Sequence, residues 1–291
     1  MLASIILGLV SGSIYGLLAV GIVLIYKGSR VLNFAQGEIG TFSLYVTSVL
    51  SHQFHAPYLL AAGAAVFTAG LIGFLFELLV VRRMGGASRL TVTIASVGLL
   101  TLLISLEFLK FGPAPQPVPS PVEGVGLNVA GVYILPNQQL SVVIIVLLGA
   151  ALTLFLRYTD FGLAVLATAQ DATAVRLMGI PLSRVTAFTW TVGCGVAAIA
   201  ALLISPTIGI GVAPNFLGGL FVSALAAALV GGLTSLPGAF IGGLVIGVIE
   251  GVAFQAGRLV PGVPGFQEIA VFAVILAMLL FRPRGLLGSE A

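Results

Sequence analysis

Long apolar runs separated by short polar breaks dominate the 291-residue chain. Dividing it at charges, prolines and polar clusters gives nine apolar segments, at about 4–26, 37–50, 58–81, 90–109, 139–156, 185–205, 217–230, 238–254 and 266–281. None alternates apolar and polar residues with the period of a strand, which favours helices over a barrel. Residues 185–249 form a run of 65 without a charge, where roughly 20 suffice to cross a bilayer, so this run crosses more than once. Segments 37–50 and 217–230 are short. The chain makes nine crossings if both traverse the bilayer and eight if one is re-entrant. The predicted fold is all-α: a polytopic transmembrane helical bundle of about 8 (7–9) segments with broken or re-entrant helices, forming a single domain over 1–291.

Composition agrees. Charged residues make up 7% and hydrophobic residues 59%, with a mean hydropathy of +1.21. A soluble domain carries about a quarter charged residues. The 38 glycines suit close approach of membrane helices. The net charge of +3 has its basic residues at the ends of apolar runs, so it points to orientation in the membrane and not to nucleic acid. Lys27, Arg30, Arg82, Arg83, Arg89, Arg157, Arg176, Arg184, Arg282 and Arg284 fall on one side of the bundle, and Lys110 and Arg258 on the other. That bias makes loop 157–184 and the C-terminus cytoplasmic, and an odd number of crossings puts the N-terminus outside. Residues 1–26 lack a basic start and are too long for a signal peptide's apolar region, so they are the first membrane segment. Cys194 has no partner for an intrachain disulfide and reads as a small core residue.

Catalytic chemistry finds little support. His52 and His55 share one short loop, and with a single cysteine no metal site of usual spacing can be assembled. No phosphate loop of the Gly-x-x-x-x-Gly-Lys-Ser/Thr type occurs, so any ATP-driven step belongs to another subunit. The loop 157–184 is more informative. Asp171 is a good N-cap for a helix of about two turns over 172–178; Gly179 suits its C-terminal turn and Pro181 stops it. Such a helix can dock in a groove of a soluble partner, or simply join two spans.

The stretch Ala167-Thr-Ala-Gln-Asp-Ala-Thr-Ala-Val-Arg-Leu-Met-Gly-Ile-Pro181 resembles the cytoplasmic coupling motif of ABC importer permeases. Its form is similar to that of the branched-chain amino-acid permease family (LivH-like), which is distantly related to ribose-type permeases. Three further stretches resemble the same family, in the family's order: Gly12-Ser-Ile-Tyr-Gly-Leu-Leu-Ala-Val-Gly21, Val31-Leu-Asn-Phe-Ala-Gln-Gly-Glu38, and the glycine-rich Ala228–Gly243. Gln36 departs from the pattern, because histidine is frequent there.

The resemblance implies an inner-membrane assembly of two homologous permease subunits, two ATP-binding cassette ATPases and a periplasmic or extracellular binding protein. ATP would be bound by the partners, with no cofactor in this chain. Asp171, Ala172, Ala174, Val175, Arg176, Met178, Gly179 and Pro181 would transmit ATP-driven motion. Relatives of this type carry branched-chain or other amino acids, urea, short amides or aromatic acids. A stand-alone secondary transporter or channel is the rival reading, and three scattered glutamates are a thin basis for its ion relay.

Two polar, glycine-flanked stretches are candidates for the translocation path: Asn33, Gln36, Gly37 and Glu38 in one, Thr234 and Ser235 in the other. The alternative places Asn33 and Glu38 at the interface beside Lys27 and Arg30. Of the remaining intramembrane acids, Glu77 is expected to pair with Arg82 and Glu107 to lie at the interface near Lys110. Glu250 is expected to be protonated, paired with Arg258 or facing the second permease, and a structural role is expected for all three. Trp190 and Tyr58 suit either an interface or the core.

Overall fold

A computed structural model describes the chain except residues 86, 123, 130, 210, 259–264, 283, 284 and 288–291. Arg284, counted above among the basic residues, lies outside the described residues. The helices are α1 (Leu2–Ser29), α2 (Gln36–His52), α3 (Tyr58–Phe76, continued by a π-helical turn at Glu77–Val81), α4 (Arg89–Phe111), α5 (Pro136–Tyr158), α6 (Asp160–Gln170), α7 (Ala172–Leu177), α8 (Leu182–Ile208), α9 (Gly218–Gly231), α10 (Leu236–Gly257) and α11 (Phe266–Phe281). A small antiparallel hairpin, β1 (Leu127–Val129) and β2 (Val132–Ile134), sits in the loop between α4 and α5. Among the described residues, six helices are long and apolar enough to cross a bilayer, and α9 and α11 are shorter apolar helices. The protein is a multi-pass helical membrane protein. Lys27, Arg30, Arg82, Arg157 and Arg184 gather at one end of the bundle, called here the basic end.

The centre is an antiparallel pair, α1 and α8, of 28 and 27 residues. At 1.5 Å per residue each is about 40 Å long, more than the ~30 Å hydrocarbon core. Glycine sets their spacing against neighbours. Gly8, Gly12 and Gly16 of α1 meet Gly243, Gly247 and Phe240 of α10, and a Cβ on Gly12 would stand 2.7 Å from the carbonyl oxygen of Gly243. Both helices thus carry small residues four apart on the facing side, so backbone packs on backbone. Gly70 and Gly73 of α3 meet Thr191 and Trp190 of α8 in the same way.

Helix packing repeats. α8 packs on α3 as α1 packs on α10; α2 and α9 each lie between a long central helix and the helix that follows. The units α1–α4 and α8–α11 therefore share one plan: long helix, non-helical return, short helix, two further helices. The single long helix between them, α5, inverts the second unit relative to the first. Inverted repeats of this kind are a recurrent transporter architecture. The large exposed side chains on α3, α4, α5 and α11, such as Phe67, Leu90, Leu147 and Phe281, suit contact with lipid.

Four sequence expectations are resolved by packing. Glu77 pairs with Arg82 at 3.0 Å and accepts from Thr186 Oγ1 at 2.8 Å. The π turn, with Arg82 N donating to Glu77 O, brings residues five apart onto one face. Trp190 is fully buried against Phe76, and Cys194 is a buried free thiol, so both are core. Glu107 is not interfacial: it is fully buried, because the face of α4 that carries it packs on α2.

Candidate functional site

Two chain reversals meet inside the bundle. The first follows α1. Arg30 takes a left-handed conformation (φ 56°), and its guanidinium donates to the Ala169 carbonyl of α6. The chain then runs back into the bundle without helical structure. Asn33 Oδ1 accepts from Ala35 N at 3.1 Å, a local turn that launches α2 at Gln36. Gln36 Nε2 donates to Gly193 O at 3.3 Å and to Leu18 O at 3.5 Å, which places the start of α2 level with the middle of α1 and of α8.

The second reversal follows α8. Gly209 (φ 71°) ends the helix. Val212 exchanges backbone hydrogen bonds with Gln116 at 2.8 Å, at the end opposite the basic one, and the chain descends to Asn215 (φ 62°) before α9 begins at Gly218. Glu38 Oε1 accepts from Asn215 N at 3.0 Å, and Thr41 Oγ1 accepts from Leu217 N at 3.1 Å. The first turns of α2 thus satisfy donors that the break before α9 leaves free. A glycine is required at this crossing: a Cβ on Gly40 would lie 2.9 Å from Ala197 O, and Gly37 faces Phe221.

Asn33, Gln36, Glu38 and Thr41 are all buried. Among the described residues, Gln36 Oε1 and Glu38 Oε2 have no hydrogen-bond partner, nor do the two carboxyl oxygens of Glu107 or the Tyr45 hydroxyl. Glu107 faces Glu38 directly. Buried polar atoms without partners are costly, and they concentrate where function needs them.

Thr234 and Ser235 lie elsewhere. Ser235 Oγ caps α10 by accepting from Gly238 N at 3.1 Å, and the backbone of Leu286 and Leu287 seats on the carbonyls of Val230 and Gly231 beside this turn. The turn is separated from Asn215 by the length of α9, about 21 Å for 14 residues. The two stretches paired in the sequence are therefore at different depths, and the true counterpart of 33–38 is 213–219.

The basic end carries a second feature. Asp171 Oδ1 accepts from Thr173 N at 2.8 Å and Ala174 N at 3.0 Å, capping α7. Gly179 is left-handed (φ 82°) and Pro181 precedes α8. Val175 is buried beneath α7, which leaves Ala172 and Arg176 exposed, with Leu177 84% and Met178 66% exposed. The preceding helix α6, capped by Thr159, extends this platform.

The sequence profile described as "Branched-chain amino acid transport system / permease component" matches residues 4–281. The chain belongs to this permease family. It is 31% identical to the high-affinity branched-chain amino acid transport system permease protein BraD of Pseudomonas aeruginosa, over 97% of this chain and 94% of the relative. It is equally similar to LivH of Salmonella typhimurium (31%; 97% and 93%) and is 29% identical to a probable LivH of Methanocaldococcus jannaschii (94% and 88%). No solved structure matches.

Three features of these regions do not show in the sequence of this permease: the helix α6 inside loop 157–184, the burial of Glu107, and Asn215, which lies within the uncharged run. A signal for Asn215 was present: Asn33-Phe-Ala-Gln-Gly37 and Asn215-Phe-Leu-Gly-Gly219 share the pattern Asn-Phe-x-x-Gly at the start of α2 and of α9.

The facing carboxyls give a direct prediction. Glu107→Gln supplies N–H donors to Glu38 Oε2, so the detergent-solubilised protein is expected to keep its melting temperature or gain a few degrees. Glu107→Leu supplies no donor and leaves Glu38 Oε2 without a partner, so it should melt several degrees below Glu107→Gln, a difference of about 1–3 kcal/mol. Equal melting of the two variants would refute the pairing.

Proposed function

We propose that this chain is the membrane-spanning subunit of an ATP-driven, binding-protein-dependent importer of branched-chain amino acids or similar small amphipathic solutes. The observation that carries this reading is the meeting of two short helices at mid-depth. Each is reached by non-helical backbone from an opposite end, with Gln36 and Glu38 presenting free acceptors between them. Interrupted helices whose starts meet inside the bundle provide polar backbone where a solute must pass. The relatives' names supply the substrate class.

In this reading the basic end faces the cytoplasm of a bacterial inner membrane, because lysine and arginine are retained there. The C-terminus is then cytoplasmic and the N-terminus external. Two ATPase subunits bind beneath, and α7, with Asp171, Ala172, Ala174, Val175, Arg176, Met178, Gly179 and Pro181, seats on them. ATP is bound by those subunits, a homologous second permease completes the pathway, and a periplasmic or extracellular binding protein delivers the solute. Asn33, Gln36, Gly37 and Glu38 line the pathway at mid-depth, and Thr234 and Ser235 line its cytoplasmic mouth.

The test is uptake of radiolabelled leucine into proteoliposomes that contain this permease, its genomically neighbouring permease and ATPases, and the cognate binding protein. Uptake is expected only with ATP on the ATPase side and with the binding protein present. Accumulation by this chain alone, without ATP, would overturn the reading in favour of a secondary transporter or channel.

A further inference from the structure

A cavity of about 750 Å³ lies between α1, α9, α10 and α11, outside the crossing of the two short helices. It runs from Ile208 and Glu268, at the end opposite the basic one, down to Tyr15 in the middle of α1 and Ser223 on α9. Leu220, Phe272 and Ile275 make its walls apolar. Its polar groups gather around Glu250. Ser223 Oγ donates to Glu250 Oε1 at 2.5 Å, Gln267 Nε2 donates to the Glu250 carbonyl at 3.5 Å, and the Tyr15 hydroxyl stands beside the same carboxyl. Among the described residues, the only ion pair is Arg82–Glu77, so no cationic side chain neutralises Glu250.

The inverted repeat supplies a control. The corresponding space in the first unit, between α2 and α4, is a cavity of about 420 Å³. Phe42, Tyr45, Val46, Leu106 and Lys110 are among the residues that line it, and its lining includes no carboxylate, the neighbouring Glu107 being fully buried. Glu250 and its hydroxyls are therefore not a requirement of the helical plan. A carboxylate at membrane depth is expensive and persists where it serves a pathway or a ligand. A cavity of this size, apolar except for convergent polar groups, has the form of a small-molecule site.

We propose that this cavity is a binding site for the primary ammonium group of an amino acid, held by Glu250 with Ser223 and Tyr15, while the aliphatic side chain lies against the α9–α11 walls. A carboxylate with hydroxyl support matches an ammonium group by charge-assisted hydrogen bonds, and the apolar wall matches a branched side chain. Ile208 and Glu268 line the part of the cavity far from the basic end, which in the transport reading is the side where solute arrives. This assignment rests on the transport reading above.

The experiment uses the reconstituted importer with wild-type permease, Glu250→Gln, and Lys110→Gln as a control in the sister cavity. Glu250→Gln removes the charge and keeps the shape; its KM for leucine uptake is expected to rise at least about tenfold, while Lys110→Gln stays near wild type. In parallel, Ser223→Cys is expected to react with an ammonium-bearing methanethiosulfonate reagent, and saturating leucine should slow that reaction several-fold. Cys194 is buried and does not compete. The thiol measurement also serves if Glu250→Gln accumulates poorly. An importer whose wild type takes up no amino acid defeats the transport reading and this site with it. Wild-type uptake together with an unchanged KM in Glu250→Gln, or no protection by leucine, overturns this site alone.

Discussion

Gly12→Leu is expected to abolish accumulation of folded protein, with at least about a tenfold loss of the monodisperse species in detergent. A Cβ at this position would stand 2.7 Å from the carbonyl oxygen of Gly243, and that atom belongs to the backbone of a helix which cannot yield locally. α1 and α10 would have to separate along the whole row of facing glycines. Overpacking a tight interior costs typically about 1–3 kcal/mol and more where backbone must move, against a total stability of about 5–15 kcal/mol. Gly98→Ala is the matched control. Gly98 is exposed on α4 with nothing within 4 Å of its would-be Cβ. That variant should behave like wild type in size-exclusion chromatography and melting. Equal loss in both would show that glycine matters for insertion in general and not for this contact.

The second large effect concerns α7. The double substitution Leu177→Asp and Met178→Asp is expected to reduce leucine-stimulated ATP hydrolysis of the reconstituted importer by at least about tenfold. Both side chains are exposed at the basic end, and the Asp171 cap that holds the helix is untouched. Apolar anchors at the centre of an interface are commonly worth about 2 kcal/mol or more, or roughly a 30-fold change in docking. Asp171→Ala should give a milder loss, since an N-cap contributes about 1 kcal/mol and the helix has only six residues. Co-purification of the ATPase subunits with the permease reads docking directly. Retained co-purification with full stimulation in the double variant would place the ATPase contact elsewhere.

Local sequence made some elements plainly legible and left others hidden. The α7 turn was readable because every device in it is short-range: a cap two residues from its donor, a left-handed glycine, a proline before the next helix. Glu77 was readable for the same reason, its partner being five residues away. Glu107 is not legible from sequence because its environment is set by Glu38 and Tyr45 on another helix, and among the described residues Lys110, three positions on, makes no ion pair with it. The pathway stretches were half readable. Glycine and polar residues marked 33–38 as a break in a helix, but a break gives no depth. Ser235 also follows a break, and it proved to be an ordinary helix cap at a turn. For Glu250 the sequence favours a structural role, because no cavity can be seen in a string of residues; α9 and α11 have to pack before it lines one.

Hydropathy by itself determined membrane residence, helical class and the basic end, since these follow from solvation of each segment and of each charge one at a time. The spaced glycines announced close packing without naming the partner. Only the tertiary structure decided that α1 meets α10 and that α3 meets α8. It alone brought Glu38 to the backbone of Asn215, 177 positions away, and set Ser223 against Glu250. Those contacts depend on where helices cross, and the crossing is fixed by complementary shapes distributed over many residues of both partners. No single segment contains that information, which is why the inverted repeat and both of its cavities appeared only once the helices were in place.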